Sequence, residues 1–170
     1  MKNGTKLAVA AFALIAFSSS SFAQATATAT ATATIVTPIS IAEVVNMNFG
    51  NVAVATATGG TVVMTPAGVR SAFGGVTLPA INGTVTAASF TVTGNGSYTY
   101  AITLPAAALT LTSGANTMTA TAFTSNPSAT GVLTLGTQTL NVGATLNVAA
   151  AQAAGVYVSG TPFNVTVNYN

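Results

Sequence analysis

The chain has 170 residues, of which half are hydrophobic and 2% are charged. Its charged side chains are Lys2, Lys6, Glu43 and Arg70, and it contains no His, Cys, Trp or Asp. Acid–base catalysis needs two titratable groups, a serine nucleophile needs a base, and zinc or calcium needs several donors of types missing here, so neither an enzyme nor a cofactor or metal site is expected.

Lys2 and Lys6 precede an apolar run from Leu7 to Phe17 and the small residues Ser18 to Ser21. This is the order of an export signal, and the run is too short to span a bilayer comfortably. Residues 1–23 are read as a signal peptide ending in Ser21-Phe22-Ala23; an alternative frame, Ala23-Gln24-Ala25, cuts after residue 25. The expected location is secreted, extracellular or on a bacterial cell surface reached through the periplasm, with no integral membrane segment in the mature chain. Cleavage removes both lysines, so the formal charge of +2 falls to zero (+2 − 2). Nucleic-acid binding needs several cations against phosphates, and none is expected. A neutral surface favours association. Without cysteines, stability must come from burial and strand pairing.

Residues 24–34 form an arm in which Ala and Thr alternate, and the same period of two runs on through Ile35, Ile39 and Ile41. One side is apolar and the other mostly hydroxylated. The arm fits either an extended segment that pairs with another subunit or a low-complexity linker; a strand is expected over 35–41. Val44 to Val54 alternates loosely, with Gly50 as a candidate bulge. Thr61 to Thr65 is a short strand ending at Pro66, and Val69 to Leu78 is interrupted by Gly74-Gly75. Phe90 and Val92 on one side of Gly94-Asn95-Gly96, and Tyr98, Tyr100, Ile102 and Leu104 on the other, predict a hairpin. Thr117 to Phe123 and Val132 to Leu135 flank the turn cluster Ser125 to Ser128. Leu140 to Val142 and Leu146 to Val148 are two short strands, and Ala149 to Gly155 fits a helical turn. The last strand spans Phe163 to Tyr169, with Phe163, Val165, Val167 and Tyr169 inward. Abundant Thr and Val with recurrent Gly and Pro predict an all-β, two-layer antiparallel sandwich over 35–170.

The blocks ATATIVTPISI, NFGNVAV, TVVMTPAG, SFTVTGNGSYTYAITLP, GATLNV, QAAG and TPFNVTVNY occur in order along the chain. Together they resemble domain-of-unknown-function family 4402, secreted bacterial proteins with no assigned activity. More loosely, the end of the chain, with Tyr169 next to last, is similar to chaperone–usher pilins and the spore-coat-U group. The resemblance implies an immunoglobulin-like sandwich of pilin type, to which the Ala/Thr alternation adds an extended N-terminal arm.

The two charges of the mature chain, Glu43 and Arg70, are read as an ion pair or as separate solvated charges. Two function classes remain. One is a non-catalytic subunit of an extracellular fibre or surface layer, assembled by β-strand addition. Its arm would dock through Ile35, Ile39 and Ile41, its partners would be its own copies or related surface subunits, and an export chaperone is a further candidate partner. The alternative is a monomeric extracellular binding protein for carbohydrate or an ice surface. Against the second stands the spread of Thr over many strands rather than on one repeating face. The export reading is tested by the intact mass of the secreted protein, which is expected to start at Gln24 or Thr26; a mass that retains Lys2 and Lys6 would contradict it.

Overall fold

Alternation of apolar and hydroxylated residues, rich in Thr and Val and poor in Glu, Lys and Arg, outweighs the helix preference of the abundant Ala and favours pleated strands paired edge to edge. A computed structural model describes residues 24–170; the expected signal peptide over 1–23 lies outside the described residues. Thirteen strands and no helix are found among the described residues. They are β1 (Ser40–Val45), β2 (Ala53–Val54), β3 (Gly60–Met64), β4 (Arg70–Gly74), β5 (Val76–Thr77), β6 (Ala88–Thr93), β7 (Thr99–Thr103), β8 (Leu109–Ser113), β9 (Asn116–Asn126), β10 (Thr130–Val132), β11 (Thr137–Val148), β12 (Val158–Ser159) and β13 (Thr166–Tyr169). Residues 35–170 make one unit. Gln24 to Thr34 has no strand and is exposed throughout.

All pairings are antiparallel. An eight-stranded sheet runs β1-β6-β11-β9-β8-β12, with β3 and β4 branching from β11. A three-stranded sheet, β10-β7-β13, covers part of it, and β2 pairs with β5 apart. Between the larger sheets lies a cluster of Ala88, Val92, Tyr100, Leu133, Leu140, Val142 and Val167. A second cluster, of Phe49, Val62, Met64, Val76, Ala120, Ala144, Leu146 and Val148, fills the other end. Met47 and Phe123 pack against both. The arrangement is the all-β antiparallel sandwich that the alternation predicts.

β11 belongs to both clusters. On one side it pairs with β6 as far as Val142, opposite Ala88, and then with β3 from Ala144, opposite Met64. The change of partner falls on Gly143, where a Cβ would run into the Met64 carbonyl oxygen and lie 2.6 Å from the Thr65 carbonyl carbon. Only glycine admits so close a backbone. The two short strands expected at Leu140–Val142 and Leu146–Val148 are therefore one. Gly143, which reads as a break in sequence, is a crossing point.

Other expectations are corrected. The strand predicted over 35–41 begins only at Ser40 and continues to Val45, because Pro38 has no amide to donate. Val44 to Val54 is divided: Gly50 has a φ of +65° and its amide donates to Asn48 Oδ1 at 2.8 Å, a turn rather than a bulge. The hairpin at Gly94-Asn95-Gly96 does not form. Both flanking strands exist, but β6 lies between β1 and β11 while β7 lies between β10 and β13. Their connection crosses between sheets and is pinned elsewhere, the Gly94 amide donating to the Gly136 carbonyl at 2.9 Å and that of Ser97 to the Leu133 carbonyl at 2.7 Å. Ala149 to Gly155 holds a turn at 150–151 rather than a helical turn. The last strand is confined to Thr166–Tyr169. β8 and β12 are not anticipated.

Tyr100 is fully buried and lies over Gly131, its cross-strand partner, where a Cβ would strike the ring. Its hydroxyl donates to Gln138 Oε1 at 2.8 Å, and that oxygen also accepts the Val132 amide at 2.9 Å. Burial pushes the phenol above its ordinary value and keeps it neutral.

The turn from β10 to β11 shows local strain. Leu135 and Gly136 form a two-residue turn with φ of +53° and +83°, closed by the Thr134–Thr137 bridge. Such turns favour Asn-Gly, and a left-handed leucine is unfavourable. Leu135 is 95% exposed, so its side chain gains little by burial. Leu135→Asn is expected to stabilise the protein by about 1 kcal/mol, raising the melting temperature by about 2–4 °C. An unchanged or lower melting temperature would show that the leucine makes a contact elsewhere.

Candidate functional site: the N-terminal segment, the C-terminal strand and the outer sheet face

The sequence points to two sets of residues near opposite ends of the described chain, and the fold brings most of them into one place. Ile39 and Ile41 are half-buried and pack against the cluster between the two larger sheets. Phe163, Val165, Val167 and Tyr169 meet the same cluster. Phe163 stands edge-on to Phe90, with ring centroids 6.3 Å apart, and tilts against Phe123 at 5.0 Å. Ile35 is not part of this contact; it is 97% exposed.

Few hydrogen bonds hold the segment that leads into β1. Among the described residues, no backbone–backbone bond outside the strands involves residues 24–39. The link is the Tyr169 hydroxyl, which accepts the Asn95 amide at 2.6 Å and donates to the Thr37 carbonyl at 2.7 Å. Tyr98 leans on the same ring, with centroids 5.4 Å apart. One phenol thus joins the end of β13, the loop after β6 and the chain before β1. Two half-buried isoleucines and one side-chain bond make a weak attachment beside a strand ladder.

Arg70 proves to be neither a solvated charge nor the partner of Glu43. Its Nη1 donates to the Phe49 carbonyl and, at 3.0 Å, to that of Asn51; Nη2 donates to Asn82 Oδ1 at 3.3 Å. Met64, opposite Arg70 in the ladder, is fully buried, so the guanidinium stem lies on the core side and its head ties down two loops. Glu43 lies on β1 and is exposed. Nothing in the sequence distinguishes Arg70 as a clamp, because its carbonyl partners come from backbone distant along the chain.

A further feature is formed by strand pairing. The outward side of the large sheet gathers hydroxyls and amides in rows. Ser40, Thr93 and Thr137 align across three strands, as do Ser89, Asn141 and Asn126, and Asn147, Thr119 and Thr110. Rows follow strand spacing of about 4.8 Å, with repeats of roughly 6.7 Å along each strand. Ser40 and Thr93 hydroxyls meet at 2.7 Å. Asn147 Nδ2 donates to Thr119 Oγ1 at 3.3 Å and to Thr121 Oγ1 at 3.0 Å. The alternation legible in each strand gave no register, so the gathering of these residues on one face was not visible in the sequence.

The phenolic link is open to a simple test. Tyr169→Phe keeps the ring and removes both hydrogen bonds, so a loss of about 1–2 kcal/mol is expected in denaturant unfolding, with the slope unchanged. A variant as stable as the parent would mean that the hydroxyl does not hold the segment.

Among the described residues no helix is long and apolar enough to cross a membrane. No curated protein and no solved structure matches the chain. A family model described as "Domain of unknown function (DUF4402)" matches residues 39–169, from the first docked isoleucine through the linking tyrosine and most of the chain. The chain belongs to that family.

Proposed function

We propose that this protein is a secreted, non-catalytic structural subunit of an extracellular fibre or surface layer, assembled by β-strand addition between copies or with related surface subunits. The observation that carries the reading is the segment before β1. Residues 24–34 are exposed, uncharged and alternate with a period of two; Ile35 follows, fully open to solvent, and then Ile39 and Ile41, lightly held in the core. An extended segment adds to a sheet edge through its backbone, while its larger side chains supply specificity. Exchange of the segment from Ile35 to Ile41 between copies would replace the same contacts with identical ones and carry the exposed Ile35 against the neighbour's sheet edge; the attachment through Tyr169 and the pairing of Ser40 and Ile41 with Thr93 and Val92 must be broken and remade. Glu43 and Arg70 are the only charged side chains in residues 24–170 and supply no acid–base pair, which supports a non-catalytic role.

A second reading is favoured by the outward rows of Thr, Ser and Asn: a monomeric protein that binds a neutral carbohydrate or an ice surface through hydroxyls. The twist of a sheet works against a match to a flat crystal face.

Negative-stain microscopy with light scattering separates these readings. Protein starting at Gln24 is expected to form ordered polymers, alone or with an export chaperone supplied. Ile35→Asp is expected to abolish them, because a carboxylate would enter an apolar contact unpaired; Ile35 is exposed, so the isolated domain should stay folded. Thr30→Asp should polymerise nearly as well as the parent. Dispersed particles from the parent protein at high concentration, with or without the chaperone, would remove the fibre reading.

A further inference from the structure

Asn82-Gly83 and Asn95-Gly96 are the two Asn-Gly pairs of residues 24–170. Glycine has no Cβ to shield its amide nitrogen, so in such a pair that nitrogen can attack the preceding side-chain amide carbon and close a five-membered ring. The fold treats the two pairs differently. Asn95 is half-buried in a turn: its amide donates to the Tyr169 hydroxyl at 2.6 Å, and its carbonyl accepts the Tyr98 amide at 3.4 Å. Asn82 and Gly83 are exposed and lie outside the strands. Among the described residues, no backbone carbonyl accepts from the Gly83 amide. The Asn82 main-chain carbonyl accepts the Asn51 amide at 2.7 Å, and Asn51 Nδ2 donates to the Ile81 carbonyl at 3.0 Å, which sets where the Asn82 side chain begins. That side chain ends on the one cationic side chain of residues 24–170. Arg70 Nη2 donates to Asn82 Oδ1 at 3.3 Å, while Nη1 stays on the Phe49 and Asn51 carbonyls. Both residues line a shallow surface pocket with Gly68, Leu78 and Val85.

We infer that Asn82 is a self-modifying site, at which the side-chain amide is converted to a carboxylate that Arg70 then holds as an ion pair. The Gly83 nitrogen bonds to Asn82 Cγ, the Cγ–Nδ2 bond breaks, and Nδ2 leaves as ammonia with the proton that Gly83 gives up. The negative charge that builds on Oδ1 as the ring closes falls against the guanidinium, a donor already in place. Water then opens the ring. Attack at Cγ breaks the new bond to the Gly83 nitrogen, returns a proton to that nitrogen and leaves aspartate. Attack at the Asn82 main-chain carbon instead leaves isoaspartate. Nothing is oxidised or reduced, and water is the only co-reactant. The guanidinium polarises Cγ, so the fold directs opening toward aspartate, whose carboxylate takes the place of the amide. The loops that meet there, residues 46–52 and 79–87, carry no charged or titratable side chain, and neither do β3 and β5, the strands packed against β4. A charge-assisted pair thus replaces a neutral amide in the Arg70 clamp, and the modification tightens it. The inference stands whether or not the protein forms fibres.

Peptide mapping by mass spectrometry tests this on the chain from Gln24, held in mildly alkaline buffer both folded and in denaturant. In the folded protein Asn82 should convert about tenfold faster than Asn95 and yield mostly aspartate. In denaturant the two pairs should convert at similar rates, with a larger share of isoaspartate. Asn82→Asp makes the product directly, and its unfolding equilibrium constant at neutral pH should be about two- to fivefold smaller than that of the parent. Pairing lowers the carboxylate pKa of the folded state. The gain is therefore present above the unfolded value of about 3.9 and disappears as pH falls through the folded one. It should also shrink in salt. If folded Asn82 converts no faster than Asn95, or gives as much isoaspartate as in denaturant, the fold does not direct the reaction. If Asn82→Asp is no more stable than the parent, Arg70 does not hold the product. Either result overturns the inference.

Discussion

The position where β11 changes partners is the constraint on which the rest of this fold depends. A strand of twelve residues serves both hydrophobic clusters, carrying Leu140 and Val142 into one and Ala144, Leu146 and Val148 into the other. β6 and β3 share one side of it, and the handover requires the backbone of β3 to touch that of β11 at Gly143. β9 follows on the other side and shifts register between Gly143 and Thr145, where Ala122 adopts a φ of +48°. The two clusters are thereby ends of one core rather than two cores, with Met47 and Phe123 closing the gap between them.

With burial doing most of the stabilising, the few charges acquire positional meaning. Arg70 is half-buried and ties the backbone carbonyls of two loops. Glu43 is left exposed on an open edge. Tyr169 contributes through a hydroxyl at the junction of three chain segments, and Tyr100 through a buried phenol over Gly131. Polar contacts therefore act at seams and edges, while apolar pairs fill the layers between.

Much of this was legible in the residues. The period of two located β3, β4, β6, β7 and β9, and it placed Val167 inward on the last strand. Pairing was less legible, since alternation reports which side of a strand is apolar and says nothing about its neighbour. The turn at Gly94 to Gly96 has hairpin chemistry, yet β6 pairs with β1 and the long β11 while β7 pairs with β10 and β13 in the opposite layer. β8, with Leu109-Thr110-Leu111-Thr112, repeats the same alternation and was visible in principle. The Arg70 clamp and the rows of Thr on the outer face depend on residues far apart in sequence, and only the three-dimensional register brings them together.

Native-state hydrogen exchange of the β11 amides tests most directly whether one core spans the molecule. Regions that open only with the whole protein share a single exchange free energy. The slowest amides around Leu140 and Val142, and those around Leu146 and Val148, should exchange with equal free energies that match global unfolding. If either half exchanges at a clearly lower free energy than the other, the two clusters open separately, and the account of β11 as their common support fails.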